Sequence, residues 1–300
     1  TNTRYELETL DLDAATDGAS LVLVHEWSAS ELVRRLGEHR ERTGHYRLLF
    51  HDTHHRAVTD PAAMRRYALD FFDGVLAFGR VLRDLYVRRG WTARAWVWHE
   101  AADVRRFRPI AGAANAGDLV WIGNWGDDER TAEVGEFLLQ PVRTLGLRAK
   151  VYGVRYPASG IEALARAGIA YGGWLSNLDA PLVFAGYRAT VHIPRRPYVR
   201  ALPGIPTIRV FEALACGIPL ISAPWDDCEH LFTPGKDFLV AQDGAAMRAH
   251  LRQVLRDRAY AAELAAHGLA TIRARHTCAH RVDELFAILR ELGAAPAEAA

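Results

Sequence analysis

Residues 204–217, GIPTIRVFEALACG, gather the residue types that a phosphorylated ligand requires. Thr207 stands where a helix can begin and is expected to cap it. A helix N-terminus offers unbonded amides and a partial positive charge, which suit a phosphate. Arg209, in the first turn, can add a charge-assisted contact to the same anion. Glu212 follows about one turn later, as a carboxylate able to accept two ribose hydroxyls. The bland alternatives are a solvated Arg209 and a surface Glu212 on an ordinary amphipathic helix. A second constellation is FHDTHH, with His51, Asp52, His54 and His55 after an apolar run. His54 or His55 can position a second substrate or move its proton; equally, they are polar loop residues. The HDTHH spacing lacks the paired Cys/His pattern of a zinc site. Asp226-Asp227 is the nearest approach to an acidic metal motif, and no metal is expected.

These residues need elements to hold them. Short apolar runs alternate with amphipathic stretches along the chain. In the first half, strands are expected at LVLVHEW, YRLLFHDTHH, GVLAFG and ARAWVWHE. Ser28 caps the helix after the first strand, Asp60-Pro61 opens a later one, and residues 80–89 form another. The small-residue stretch IAGAANAGD reads as a linker. A second alternation follows, with strands at DLVWIGN, AKVYGV, residues 170–175, ATVHI, IPLISA and DFLVA. Helices are expected near residues 131–145, 161–167, 179, 207–216, 244–257, 259–275 and 280–292. The fold class is α/β, with two Rossmann-like domains facing a cleft. Residues 1–110 form the first domain, 111–278 the second, and 279–300 a terminal helix returning to the first domain, with a frayed tail. The chain opens at Thr1 without methionine and shows only four clear strands before the linker, so an N-terminally truncated first domain is expected.

Composition narrows the function classes. The 300 residues carry a net charge of +1, which disfavours nucleic acid as a partner. No apolar run reaches the ~20 residues of a transmembrane segment. Three cysteines in a chain of this length make no disulfide framework and point to the cytoplasm. Cys216 reads as a buried filler, and Trp121, Trp125 and Trp174 as packing residues.

In order and spacing, several segments resemble the glycosyltransferases of GT-B fold, and within them the CgeB-like group. They are FHDTHHR, GVLAFG, HEAADVRRFRP, DLVWIGNWGDDERT, VYGVRYP and FEALACGIPLISAPW. The resemblance spans residues 21–289 and implies sugar transfer from a nucleotide-diphosphate donor, UDP-linked most often, to an acceptor. It implies no cofactor beyond the nucleotide sugar and no obligatory metal. The second of the two donor-site glutamates of this superfamily matches Glu212, and the first falls at Gly204. The ribose contact therefore carries over and the sugar contact does not. Thr207 replaces a glycine that approaches the phosphates, and its amide serves as well. The resemblance further implies donor contacts from Gly123, Asn124, Arg155 and the Trp174 loop, with Arg195, Arg196 and Tyr198 nearby. It places the acceptor on the first domain, beside His54 and His55. Two other readings stay open: a sugar-nucleotide epimerase on the same fold, and a non-catalytic module that binds nucleotide or carbohydrate.

Overall fold

The computed structural model describes residues 4–126 and 128–293. The chain divides into two compact units, Thr1–His99 with Val282–Ala300, and Glu100–Arg281. The division thus falls at His99 rather than near residue 110, and residues 110–118 belong to the second unit.

The first unit holds a four-stranded parallel sheet in the order β1 (Leu21–His25), β2 (Arg47–Asp52), β3 (Gly74–Ala77), β4 (Ala95–Val97). Register is set by pairs such as Phe50 with Val24 and with Val75. Leu48, Leu49, Phe50, Val75 and Leu76 have no exposed surface, and each contributes ~2 kcal/mol of burial. Strands buried on both faces read as continuous apolar runs, which is why the sequence marks them so clearly. Leu49 and Leu76 pack against Ile288 and Leu292, so the end of helix Cys278–Glu291 and the turn after it cover this sheet. The helix after β1 runs Ser30–Thr43 from Ala29, with no side-chain cap. Ser28 is instead spent in a turn, its amide donating to the His25 carbonyl at 2.9 Å. Asp60 does cap the short helix Pro61–Met64, accepting from the Ala63 amide.

The second unit holds a six-stranded parallel sheet built from β5 (Gly117–Ile122), β6 (Ala149–Tyr152), β7 (Ile169–Tyr171), β8 (Tyr187–His192), β9 (Leu220–Ser222) and β10 (Leu239–Val240). Its spatial order is β10-β9-β8-β5-β6-β7. The chain therefore builds outward from β5 in one direction, then returns to β8 and builds in the other. Successive residues of β5 feed opposite faces: Leu119 and Trp121 join one core with Val151 and Val191, Val120 and Ile122 the other with Phe184 and Phe211. The expected helix 131–145 is present as Thr131–Val134, a π-helical turn Gly135–Leu139 and Gln140–Leu145. Pro141 supplies no amide and its ring crowds the carbonyl four residues back, and the wider π turn before it relieves that conflict. Helices Leu12–Thr16, Arg56–Thr59 and Arg196–Ala201 are further elements that apolar periodicity does not announce.

Candidate functional site

In an open parallel sheet, ligands bind beyond the strand C-termini, where the order of strands reverses. In the second unit that point lies between β5 and β8. Gly123 and Asn124 follow β5, and Ile193 follows β8. Arg130 joins the two loops: its Nε and Nη2 donate to the Asn124 carbonyl, and its Nη1 donates to the Ile193 carbonyl at 2.6 Å. The guanidinium is 8% exposed and lies 5.0 Å over the Trp121 ring. Burial pulls its pKa down to about 10, and the charge of Arg195 adds to that. Arg195 lies 3.2 Å from Glu129, and Arg196 pairs with Glu133 at 3.0 Å. Arg130 escapes a reading of the sequence because only the fold brings it to the carbonyls of residues six and 63 positions away.

The loops on the β5–β6–β7 side lock together through side-chain to backbone hydrogen bonds. Asn124 Oδ1 accepts from the Val154 amide at 3.0 Å, and Tyr156 donates its hydroxyl to the Gly123 carbonyl at 2.7 Å. Gly153 has φ +154°, and a Cβ there would lie 2.2 Å from the Gly123 oxygen. Arg155 is exposed at φ 59°, the left-handed conformation uncommon for a side-chain-bearing residue. Trp174 is 74% exposed on the loop after β7 and so is no core residue, whereas Trp121 and Trp125 are buried.

Helix Ile208–Ala215 starts at Thr207 in extended conformation and buries Val210, Phe211, Leu214 and Ala215, as the sequence implies. Its expected cap is absent. The Thr207 side chain makes no cap hydrogen bond and lies instead 3.2 Å from His192 Nε2. Glu212 is buried at 3% exposure, so it is no surface carboxylate. Its carboxylate is paired with Arg209 and accepts from Asn177 Nδ2 at 3.2 Å, while Arg209 donates to Asn177 Oδ1 at 2.8 Å. Burial raises the Glu212 pKa, against the lowering effects of Arg209 and Asn177. Arg209 and Glu212 thus pair with each other, while Thr207 turns to His192. Asn177 and His192 are the members that residue spacing does not disclose. Asp227 spends both carboxylate oxygens on the amides of Leu231 and Phe232, which is a loop-fixing role. Among the described residues, no group of three or more metal-ligating side chains assembles. Nor is any helix there long and apolar enough to cross a membrane. The three cysteines are free, with Cys216 buried.

In the first unit, the ends of β1 and β2 hold a dense polar cluster. Glu26 is fully buried, and its Oε2 lies at ion-pair distance, 2.7 Å, from His25 Nδ1. Thr53 donates to Glu26 Oε1 at 3.1 Å, and Tyr67 and Arg56 donate to the Glu26 carbonyl. Asp52 is fully buried and accepts from the His54 amide at 3.0 Å and from the Tyr86 hydroxyl at 2.8 Å. Burial, joined by the charge of Glu26, pushes Asp52 up to about 7 against those hydrogen bonds. Burial and the neighbouring His25 pull His51 down to about 4. His54 is partly exposed, its ring centroid 4.9 Å from Trp27 and 4.1 Å from His55. His55 is buried at 4% exposure, with Nδ1 3.0 Å from Thr59 Oγ1.

Residues 130–287 match the family model described as glycosyl transferase-like. No protein of curated function matches the sequence. Among solved structures, sucrose-phosphate synthase from Thermosynechococcus elongatus superposes with a TM-score of 0.67 at 16% identity, over 95% of this chain and 77% of that one. Anabaena HepE in complex with UDP-glucose gives 0.70 at 13% identity, over 93% and 80%. An alpha-glucosyltransferase in complex with UDP-glucose and DNA containing an abasic site gives 0.65 at 10% identity, over 93% and 83%. These likenesses establish the fold, which is that of the GT-B glycosyltransferases. Because the matched segment takes in more than half of the 300 residues, the chain belongs to the glycosyl transferase-like family.

Proposed function

We propose that the protein transfers a sugar from a nucleotide-diphosphate donor held by the second unit. The observation that carries this reading is the placement of Glu212. It is a buried carboxylate, one turn inside an uncapped helix start, at the C-terminal ends of the strands. There it would accept the ribose hydroxyls, with Asn177 and Arg209 releasing it in exchange. The amides at the start of the helix, with Arg209 and the buried cation of Arg130, would face the diphosphate. Breaking the sugar–phosphate bond builds negative charge on the leaving oxygen, and fixed dipoles and guanidinium groups aimed at it lower the barrier. On this reading protein groups meet that charge, and no metal is called for. Gly123 and Asn124 would border the sugar and phosphates, and Arg155 and Trp174 the nucleotide's outer edge. HepE and the DNA-bound alpha-glucosyltransferase are described with UDP-glucose, which favours a UDP-linked donor.

The acceptor belongs to the first unit on this reading. His54, partly exposed beside Trp27, is suited to meet an acceptor hydroxyl, and buried His55 supports its ring. His25, braced by Glu26, offers a second imidazole at the end of β1.

Isothermal titration of UDP, GDP and dTDP into the wild type and Glu212→Ala tests the donor site. The expected result is micromolar-range binding of one of them by the wild type, weakened at least tenfold by the substitution (about 1.4 kcal/mol). Equal affinity in both proteins removes Glu212 from the site.

A further inference from the structure

Thr207 occupies the N-cap position of helix Ile208–Ala215 with backbone angles of −86° and 158°, yet its hydroxyl does not cap. A threonine in that conformation ordinarily turns its oxygen onto the second or third amide of the helix. Here a chain of three hydrogen bonds draws it away. Ser222, at the end of β9, donates its hydroxyl proton to the Ala223 carbonyl at 2.7 Å. With that proton committed, Ser222 Oγ can only accept from His192 Nδ1, 2.9 Å away. His192 therefore carries its proton on Nδ1 and presents a bare Nε2 to Thr207. The Thr207 hydroxyl, 3.2 Å from Nε2, must donate to it. His192 is 4% exposed, and burial together with the charge of Arg130 holds it neutral, its pKa pulled down to about 3. Among the described residues, the amides of Ile208 and Arg209 make no hydrogen bond, whereas Val210 donates to the Thr207 carbonyl at 3.0 Å.

We infer that His192 is a positioning residue of the donor site: by accepting the hydrogen bond of the Thr207 hydroxyl, it holds that oxygen turned away from its own helix and keeps the Arg209 amide open, beside that of Ile208, for a diphosphate. The inference rests on the donor-site reading above and adds a residue that touches no ligand. It accounts for three otherwise unrelated facts: a histidine buried without a carboxylate partner, a serine turned back on its neighbouring carbonyl, and an N-cap threonine that does not cap.

The test is a double-mutant cycle read by isothermal titration with UDP. His192→Phe fills the space but offers no acceptor, so Thr207 turns onto its helix. UDP affinity is expected to fall about fivefold, the worth of one N-cap hydrogen bond. In a Thr207→Val background, which has no hydroxyl to redirect, adding His192→Phe is expected to change UDP affinity less than about twofold. A merely structural histidine would cost the same in both backgrounds, and that result overturns the inference. So does wild-type affinity in His192→Phe. Absence of UDP binding by the wild type removes the donor-site reading and this inference together, so the two failures are separable. Should the phenylalanine variant not fold, histidine-selective nitrogen NMR of the wild type decides the matter. The Nδ1–H tautomer of His192 is expected from about pH 5 to about pH 8, and an Nε2–H signal overturns the inference.

Discussion

Arg209 and Glu212 pair across one turn of helix Ile208–Ala215, with the carboxylate at 4% side-chain exposure and the guanidinium at 34%. The pair is asymmetric: the acid is buried and the base reaches the surface. Removing Arg209 leaves a buried carboxylate whose remaining side-chain donor is Asn177. Arg209→Met is expected to cost ~1–2 kcal/mol in urea unfolding, a figure already reduced for the exposure of the arginine. Burial has raised the Glu212 pKa, and losing the cation raises it further. A carboxyl whose folded pKa lies above its unfolded value gives stability that is complete below the unfolded pKa. That stability is lost as pH rises through the folded pKa. The deficit of Arg209→Met should therefore grow toward neutral pH, and Glu212→Gln in the same background should recover most of it.

If Glu212 reads a ribose, the contact is to hydroxyls and not to the base. UDP is then expected to bind about tenfold more tightly than 2′-deoxy-UDP, the difference of one hydrogen bond to a charged group. In Glu212→Ala the two nucleotides should bind alike. A ratio that survives the substitution assigns ribose recognition elsewhere. Asn177→Ala is expected to leave most of the ratio in place, because Asn177 steadies the carboxylate and does not replace it.

Asp52 lies at the end of β2 with no exposed surface, and its pKa is pushed up to about 7 from 3.8. The stabilising form is the protonated one. Its contribution is complete at acid pH, below the unfolded value, and disappears as pH rises through about 7. Asp52→Asn keeps the shape and removes the titration. The free energy of unfolding of the wild type relative to Asp52→Asn should decline between about pH 4 and about pH 8, by on the order of 4 kcal/mol at most. A constant difference across that range means that Asp52 is ionised in the folded protein throughout.

All ten strands of the described residues are visible in the sequence; the central ones, such as β3 and β5, are covered on both faces and so read as unbroken apolar runs. The donor helix is visible for the same kind of reason, since Val210, Phe211, Leu214 and Ala215 repeat at helical spacing. Two capping assignments fail, one on register and one on competition. Ser28 falls one position before Ala29, where the helix begins, and the Thr207 hydroxyl is drawn to His192. The rival for Thr207 comes from strand ends 15 residues away on either side, His192 and Ser222, and no local pattern encodes it. Arg130 is hidden likewise: its carbonyl partners depend on β5 and β8 becoming neighbours, which sheet order decides and composition does not. His55 shows the converse. Its residue type suggested proton transfer, but its ring is buried against Thr59 and next to the more accessible His54.

Gly204 occupies the position where the resemblance to the GT-B superfamily places the first of two glutamates, and its backbone now explains the departure. Its φ is +86°, a conformation that costs a side-chain-bearing residue ~1 kcal/mol. A Cβ there would also lie 2.8 Å from Glu229 Cγ, 3.0 Å from Glu229 Oε1 and 3.0 Å from Cys228 Sγ. The loop after β9 has closed over the glycine, and the Gly204 amide is tied to the Asp226 carbonyl at 2.7 Å. Gly204→Glu is therefore expected to lose ~2–3 kcal/mol in thermal or urea unfolding and to gain no affinity for UDP-glucose over UDP. Combining it with Glu229→Ala removes the crowding against a flexible side chain but not the backbone strain, so about half of the loss should return. A Gly204→Glu protein as stable as the wild type would mean that residues 226–229 give way freely.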